Sequence, residues 1–175
     1  MELGIYFIFF FTTAVVIFVP GPAAIAIAAQ GAGNGHKRAT FGVFGVASAN
    51  AVYFILSAMG IASLLIASTF VFNAIKWVGV AYLLYLGLTA IFSKTGGIQF
   101  PTGKLQSAVS LFGKGFIVEF ANPKALLYFA AILPQFLDVS RPIVPQMLLM
   151  GGTTVALDLI SYSLYAYAGD RLTNG

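Results

Sequence analysis

Five stretches of this chain, about residues 3–29, 41–67, 71–92, 116–137 and 143–168, stay apolar over 20 or more residues. About 20 such residues carry a helix across a bilayer. Charged residues make up 8% of the chain, against about 25% in a soluble domain, too few to coat a water-facing surface. Backbone inside a membrane must satisfy its own hydrogen bonds, and runs of this length do so as helices. The fold class is therefore all-α, a polytopic membrane helix bundle with five spans.

Composition closes off several chemistries. With no cysteine, disulfides and thiolate metal sites are excluded. His36 is the one histidine and cannot anchor a metal alone. No phosphate-binding or dinucleotide fingerprint occurs, so neither ATP hydrolysis nor a nucleotide cofactor is expected. No cofactor, metal or nucleic-acid partner is expected, and a lone mid-membrane acid makes no enzyme. The first span lacks a basic leader region and outruns a signal peptide's apolar core, so it reads as retained rather than cleaved.

Positive loops mark the cytoplasmic side. Lys37 and Arg38 lie in the first loop, and Lys94, Lys104 and Lys114 lie in or beside the third. The second loop, at 68–70, is uncharged, and the fourth holds one acid and one base, Asp138 and Arg141. Loops one and three are then inside, the N-terminus outside and "GDRLTNG" inside. The Gly-, Ser-, Thr- and Lys-rich stretch 93–113 reads as the one long loop.

Two of the runs are interrupted. "VPGPAA" begins at Val19 and "ANPKAL" at Ala121, 102 residues later. Each is a proline-centred break followed by an alanine-rich continuation. Three spans per copy invert the second copy, and paired broken spans in inverted repeats hold the substrate site of many transporters. The expected plan is one domain over 1–175, with repeat one at about 1–93 and repeat two at about 113–175. A 3+3 plan has six spans, so the sixth would come from further chain or from a partner.

The breaks supply the first candidate residues. Pro20, Gly21 and Pro22 remove donors and free the backbone. Asn122 precedes Pro123, which disfavours helix there, and Lys124 follows, placed either to pair with a carboxylate or to snorkel to the interface. Glu119 stands five residues before Lys124, about 140° away on an unbroken helix. It reads as an acid near the cytoplasmic end of span 4, wetted by headgroups. Asp158 falls mid-span, where a charge costs roughly 2.5–3.5 kcal/mol and usually marks function. Thr154, Tyr162 and Tyr165 share its helix face, with Gly151 at the far end. Gly42, Gly45 and Ala49 of span 2 form a packing stripe, with Ser48 beside it, for contacts within the chain or in a homo-oligomer. Lys76 and Trp77 read as an interfacial anchor.

Together "VPGPAAIAI", "GHKRATFGVFGVASAN", "KWVGVAYLLYLGLTAI" and "KGFIVEFANPKALLYFAAILPQF" resemble the LysE/RhtB family of amino-acid exporters over nearly the whole chain. The resemblance implies a six-span fold in the cell inner membrane, amino acids or close derivatives as substrates, and Asp158 as the family's aspartate of span 5. The family often carries a neutral residue where Glu119 stands. On this view the breaks and Tyr162 hold the solute, Asp158 binds either the coupling proton or the solute's ammonium, and Glu119 is a second candidate for coupling. A cation exporter and a non-transporting membrane accessory subunit are the alternatives.

Overall fold

The computed structural model describes residues 1–67, 77, 81 and 105–174. Span 3, Lys76 and most of the expected 93–113 loop lie outside the described residues, as does the boundary between the two expected repeats. The described residues are helical, without strands. Their elements are α1 (Leu3–Phe18), α2 (Pro22–Asn34), α3 (His36–Ala67), α4 (Ala108–Phe120) and α5 (Pro123–Leu127). A π turn (Tyr128–Ile132) and a 3₁₀ turn (Leu133–Phe136) extend α5, and α6 (Ile143–Asn174) closes the described chain.

Helices α3 and α6 are each long and apolar enough to cross a membrane, and two bent pairs are so when each is taken as one span. Helices α1 and α2 meet at 55°, and α4 meets the Pro123–Phe136 segment at 49°. Both bends fall at the proline clusters. Proline at the first position of a helix loses nothing, because that N–H has no intrahelical partner, and Pro22 and Pro123 both open helices there. At Pro134, where the donor is lost again, the chain tightens into the 3₁₀ turn.

Three element boundaries differ from the sequence reading. Span 1 continues to Asn34, and α3 begins at His36, so the expected first loop is one residue, Gly35. Its φ of +79° is a conformation that glycine adopts without steric cost. Residues 108–113, assigned to the long loop by composition, are helical. Ser107, counted there as a loop residue, is the N-cap, its Oγ accepting from Ser110 N at 3.2 Å. Span 5 runs on to Asn174.

The packing explains the glycines. A Cβ at Gly169 would fall on the Ala28 carbonyl oxygen, and one at Gly31 on that of Ala166. Helices α2 and α6 thus touch backbone to backbone. Helices α3 and α4 do the same, where Gly45 meets the Phe112 carbonyl and Gly115 meets that of Gly42. Small residues permit this approach where no hydrophobic drive exists between helices in lipid. The interior holds two apolar clusters. One is built around Phe9, Phe54, Phe129 and Met150, the other around Ile27, Val43, Val46 and Tyr162. Phe7, Phe11 and Val15 of α1 point outward, on the face such a helix turns to lipid.

Polar ties close both ends. The His36 backbone N and Nδ1 both reach Asp170 Oδ2, at 3.1 and 2.6 Å. At the other end of α6, Asp138 accepts from the Ser140 backbone N at 3.0 Å and pairs with Arg141 Nε at 3.1 Å. The Ser140 hydrogen bonds, with Arg141 adding to them, hold the Asp138 carboxyl below its usual range.

Candidate functional site

A helix carbonyl accepts from the N–H four residues on. Pro20 therefore leaves Val16 O without its donor, and Pro22 does the same to Phe18 O. Side chains from distant elements answer both. Lys124 Nζ donates to Val16 O and to Val19 O, each at 2.9 Å. The Tyr165 hydroxyl of α6 donates to Phe18 O at 2.7 Å. An ammonium at the C-terminal end of α1 also complements the helix dipole.

The second break is built alike. Glu119 O loses its donor to Pro123 and takes the Asn122 N–H instead, at 3.0 Å. Asn122 caps the next half-helix, its Oδ1 accepting from Lys124 N at 3.0 Å. That leaves Phe120 O, which accepts from the Tyr53 hydroxyl of α3 at 2.6 Å. Phe18 and Phe120 are the last residues of α1 and α4. Each gives its carbonyl to a tyrosine on a later unbroken helix or an earlier one.

Between the breaks lies a cleft. Its polar lining is Asn50, Glu119, Lys124, Tyr128, Thr154 and Tyr162, and its apolar lining is Val16, Ile17, Ala125 and Phe129. It leaves about 20 Å³ for water-sized molecules. That suffices for one or two waters, which need roughly 10–15 Å³ each. An amino acid is several times larger, so the cleft must widen to admit one.

Glu119 is 3% exposed and Lys124 8% exposed. Burial overturns the headgroup-wetted placement of Glu119 and the snorkelling alternative for Lys124. With α4 beginning at Ala108 rather than at about 116, Glu119 falls in the last turn of that helix instead of the first. Glu119 Oε2 accepts from Asn122 Nδ2 at 3.0 Å. Among the described residues the ion pairs are His36–Asp170 and Asp138–Arg141, so Glu119 and Lys124 face one cleft without pairing.

Asp158 is fully buried. Its Oδ2 accepts from Asn50 Nδ2 at 2.8 Å. Asp158 Oδ1, Asn50 Oδ1, Thr154 Oγ1 and Ser161 Oγ have no hydrogen-bond partner among the described residues. Asp158 does not line the cleft itself, but Asn50 does, with Thr154 and Tyr162 one turn to either side of it on α6.

The structure thus gathers Glu119, Lys124 and Tyr162 around the cleft, with Asn122 behind Glu119 and Asp158 behind Asn50. Pro20, Pro22 and Pro123 are exposed, and with Gly21 they lie outside the lining. Their effect is on the backbone they interrupt. Gly21 is the nearest of them, since a Cβ there would come within 3.3 Å of Lys124 Nζ. Sequence reasoning missed Asn50, Thr13 and Tyr128. Thr13 Oγ1 and the Tyr128 hydroxyl lie 2.8 Å apart and tie α1 to the π turn. An amide mid-run in span 2 was the available signal for Asn50.

Known proteins resemble this chain along most of its length. A homoserine/homoserine lactone efflux protein of Salmonella typhi is 29% identical over 95% of this chain and 81% of its own. An uncharacterized membrane protein of Vibrio cholerae is 29% identical over 91% of this chain and 78% of its own. A leucine efflux protein of Enterobacter sp. (strain 638) is 28% identical over 87% of this chain and 72% of its own. No solved structure matches. Residues 14–175 match the LysE type translocator family, and on that match this multi-pass membrane protein, a transporter and not an enzyme, belongs to the LysE family.

Proposed function

We propose that the chain exports amino acids or close derivatives across the cell inner membrane, as a secondary transporter coupled to protons. The observation that carries this is the cleft between the two breaks, lined by a buried ammonium and a buried carboxylate that form no ion pair among the described residues. The names of the relatives, homoserine and leucine efflux proteins, support amino acids as cargo. A cation exporter would place its cargo against the Lys124 ammonium, which disfavours that alternative.

The two breaks support a 3+3 inverted repeat. A two-fold axis relating span 1 to span 4 would also relate span 5 to span 2. The tyrosine bonds follow that exchange, Tyr165 of span 5 to Phe18 and Tyr53 of span 2 to Phe120. Phe18 and Phe120 are 102 residues apart, the spacing of the sequence echo. Loops one and three meet at Gln106, whose N–H reaches Asn34 Oδ1 and whose carbonyl accepts from Arg38. This supports placing both on one side, the cytoplasmic one by their charge, with the N-terminus opposite.

In this scheme Asp158 takes the proton. Asn50 holds one of its carboxylate oxygens, and the other remains for the proton or a water. Protonation would weaken the Asn50 bond, and Asn50 is the contact between Asp158 and the cleft. Asp158→Asn is expected to abolish proton-driven export while the protein still inserts, measured by efflux of labelled amino acid from everted vesicles with an imposed pH gradient. Normal efflux from that variant would refute the coupling role.

A further inference from the structure

We infer that the cleft recognises the amino-acid zwitterion itself, with Lys124 taking the α-carboxylate and Glu119 the α-ammonium. The inference rests on the export function proposed above and narrows its substrate class to neutral amino acids with both backbone charges free. Three observations lead to it. First, the two side chains line the same cleft with opposite charge and form no direct ion pair with each other. Burying unpaired charge is costly, so a ligand that brings both complementary charges is favoured over one that brings either alone.

Second, each group has capacity to spare. A lysine ammonium has three donors, and Val16 O and Val19 O take two. Glu119 spends Oε2 on Asn122, and a carboxylate accepts through both oxygens. Third, beside the uncharged polar groups of Asn50, Tyr128, Thr154 and Tyr162 the cleft has an apolar wall, formed by Val16, Ile17, Ala125 and Phe129, which suits an uncharged side chain. Asp158, behind Asn50, is left out of the clamp. An ester, amide or lactone would leave Lys124 unanswered, and a hydroxy acid would leave Glu119 unanswered.

The test is competition against labelled leucine on the purified full chain, using leucinamide, which lacks the carboxylate, and 2-hydroxy-4-methylpentanoate, which lacks the ammonium. Unlabelled leucine is expected to compete about tenfold or more better than either analogue. Lys124→Met should cost leucine about tenfold or more and leave leucinamide unchanged. Glu119→Gln should cost leucine similarly and leave the hydroxy acid unchanged. Lys124→Arg should keep the discrimination against leucinamide.

Equal losses of leucine and leucinamide in Lys124→Met would overturn the inference and reduce Lys124 to a cap on α1. If that variant does not fold, Glu119→Gln decides: an undiminished preference for leucine over the hydroxy acid overturns the clamp. Wild-type binding only of cationic amino acids or of the analogues overturns it while leaving export intact. Wild-type failure to bind any amino acid or analogue would instead sink the export function.

Discussion

Tyr53 and Tyr165 each spend a hydroxyl on a carbonyl at a broken helix end. A net hydrogen bond contributes about 0.5–1.5 kcal/mol, and an unanswered buried acceptor costs more. Tyr53→Phe and Tyr165→Phe are each expected to lower stability by an amount of that order, the exposed Tyr165 bond toward its lower end, read as a fall in the thermal midpoint in detergent. Unchanged midpoints in both would show that water serves these carbonyls equally well. Asp158 stood out in the sequence as a candidate because an acid at mid-span is rare and expensive. Glu119 and Lys124 were legible as candidates, but their burial was not. Their place in the helix depends on where it starts, and Ser107 disguised that start as loop while acting as a cap. Asn50 carries no charge and sits in a run of small residues, so its amide was a signal that a packing position accounts for equally well.

Among elements, the tightest junctions are those of α2 with α6 and of α3 with α4. Gly169→Leu would drive a side chain into the Ala28 carbonyl. Overpacking costs typically 1–3 kcal/mol, and a backbone obstacle puts this case at about the upper figure. A marked loss of folded protein by fluorescence-detected size exclusion is expected, while Gly152→Leu, where nothing lies within 4 Å of the added carbon, should be tolerated. The turn before α6 gives a pH expectation. The Asp138 carboxyl is held below its usual 3.8, so its contribution is present above that value and is lost as pH falls through the lower folded one. A carboxyl carbon titration by NMR should show a midpoint below 3.8; one at or above it would contradict the Ser140 and Arg141 contacts. Periodicity and run length read α3 and α6 well, since long unbroken apolar helices declare themselves. The α1–α2 and α4–α5 bends were legible as prolines, but their angles depend on which distant groups answer the freed carbonyls.

At the scale of the molecule, the two tyrosine bonds suggest a pair of opposed latches. If the halves rock about a central site, opening toward one side should strain one latch and opening toward the other side its counterpart. The chain has no cysteine, so single cysteines placed at cleft positions can be labelled without background. Tyr53→Phe and Tyr165→Phe are expected to shift labelling by an impermeant maleimide in opposite directions, one raising access from the cytoplasmic face and the other from the opposite face. A shift in the same direction for both would argue against a two-fold relation between the breaks.

The donors that complete the first break also bear on how the protein is made. Lys124 lies 108 residues after Val16, and Tyr165 lies 147 after Phe18. During synthesis the first span is therefore finished long before the groups that satisfy its middle exist. Its bare carbonyls must stay in contact with water, or with the insertion machinery, until span 4 supplies the ammonium and span 5 the hydroxyl. The α1–α2 bend is thus an early segment whose final shape is set late, and its settling into lipid should wait on the emergence of residue 165 from the ribosome.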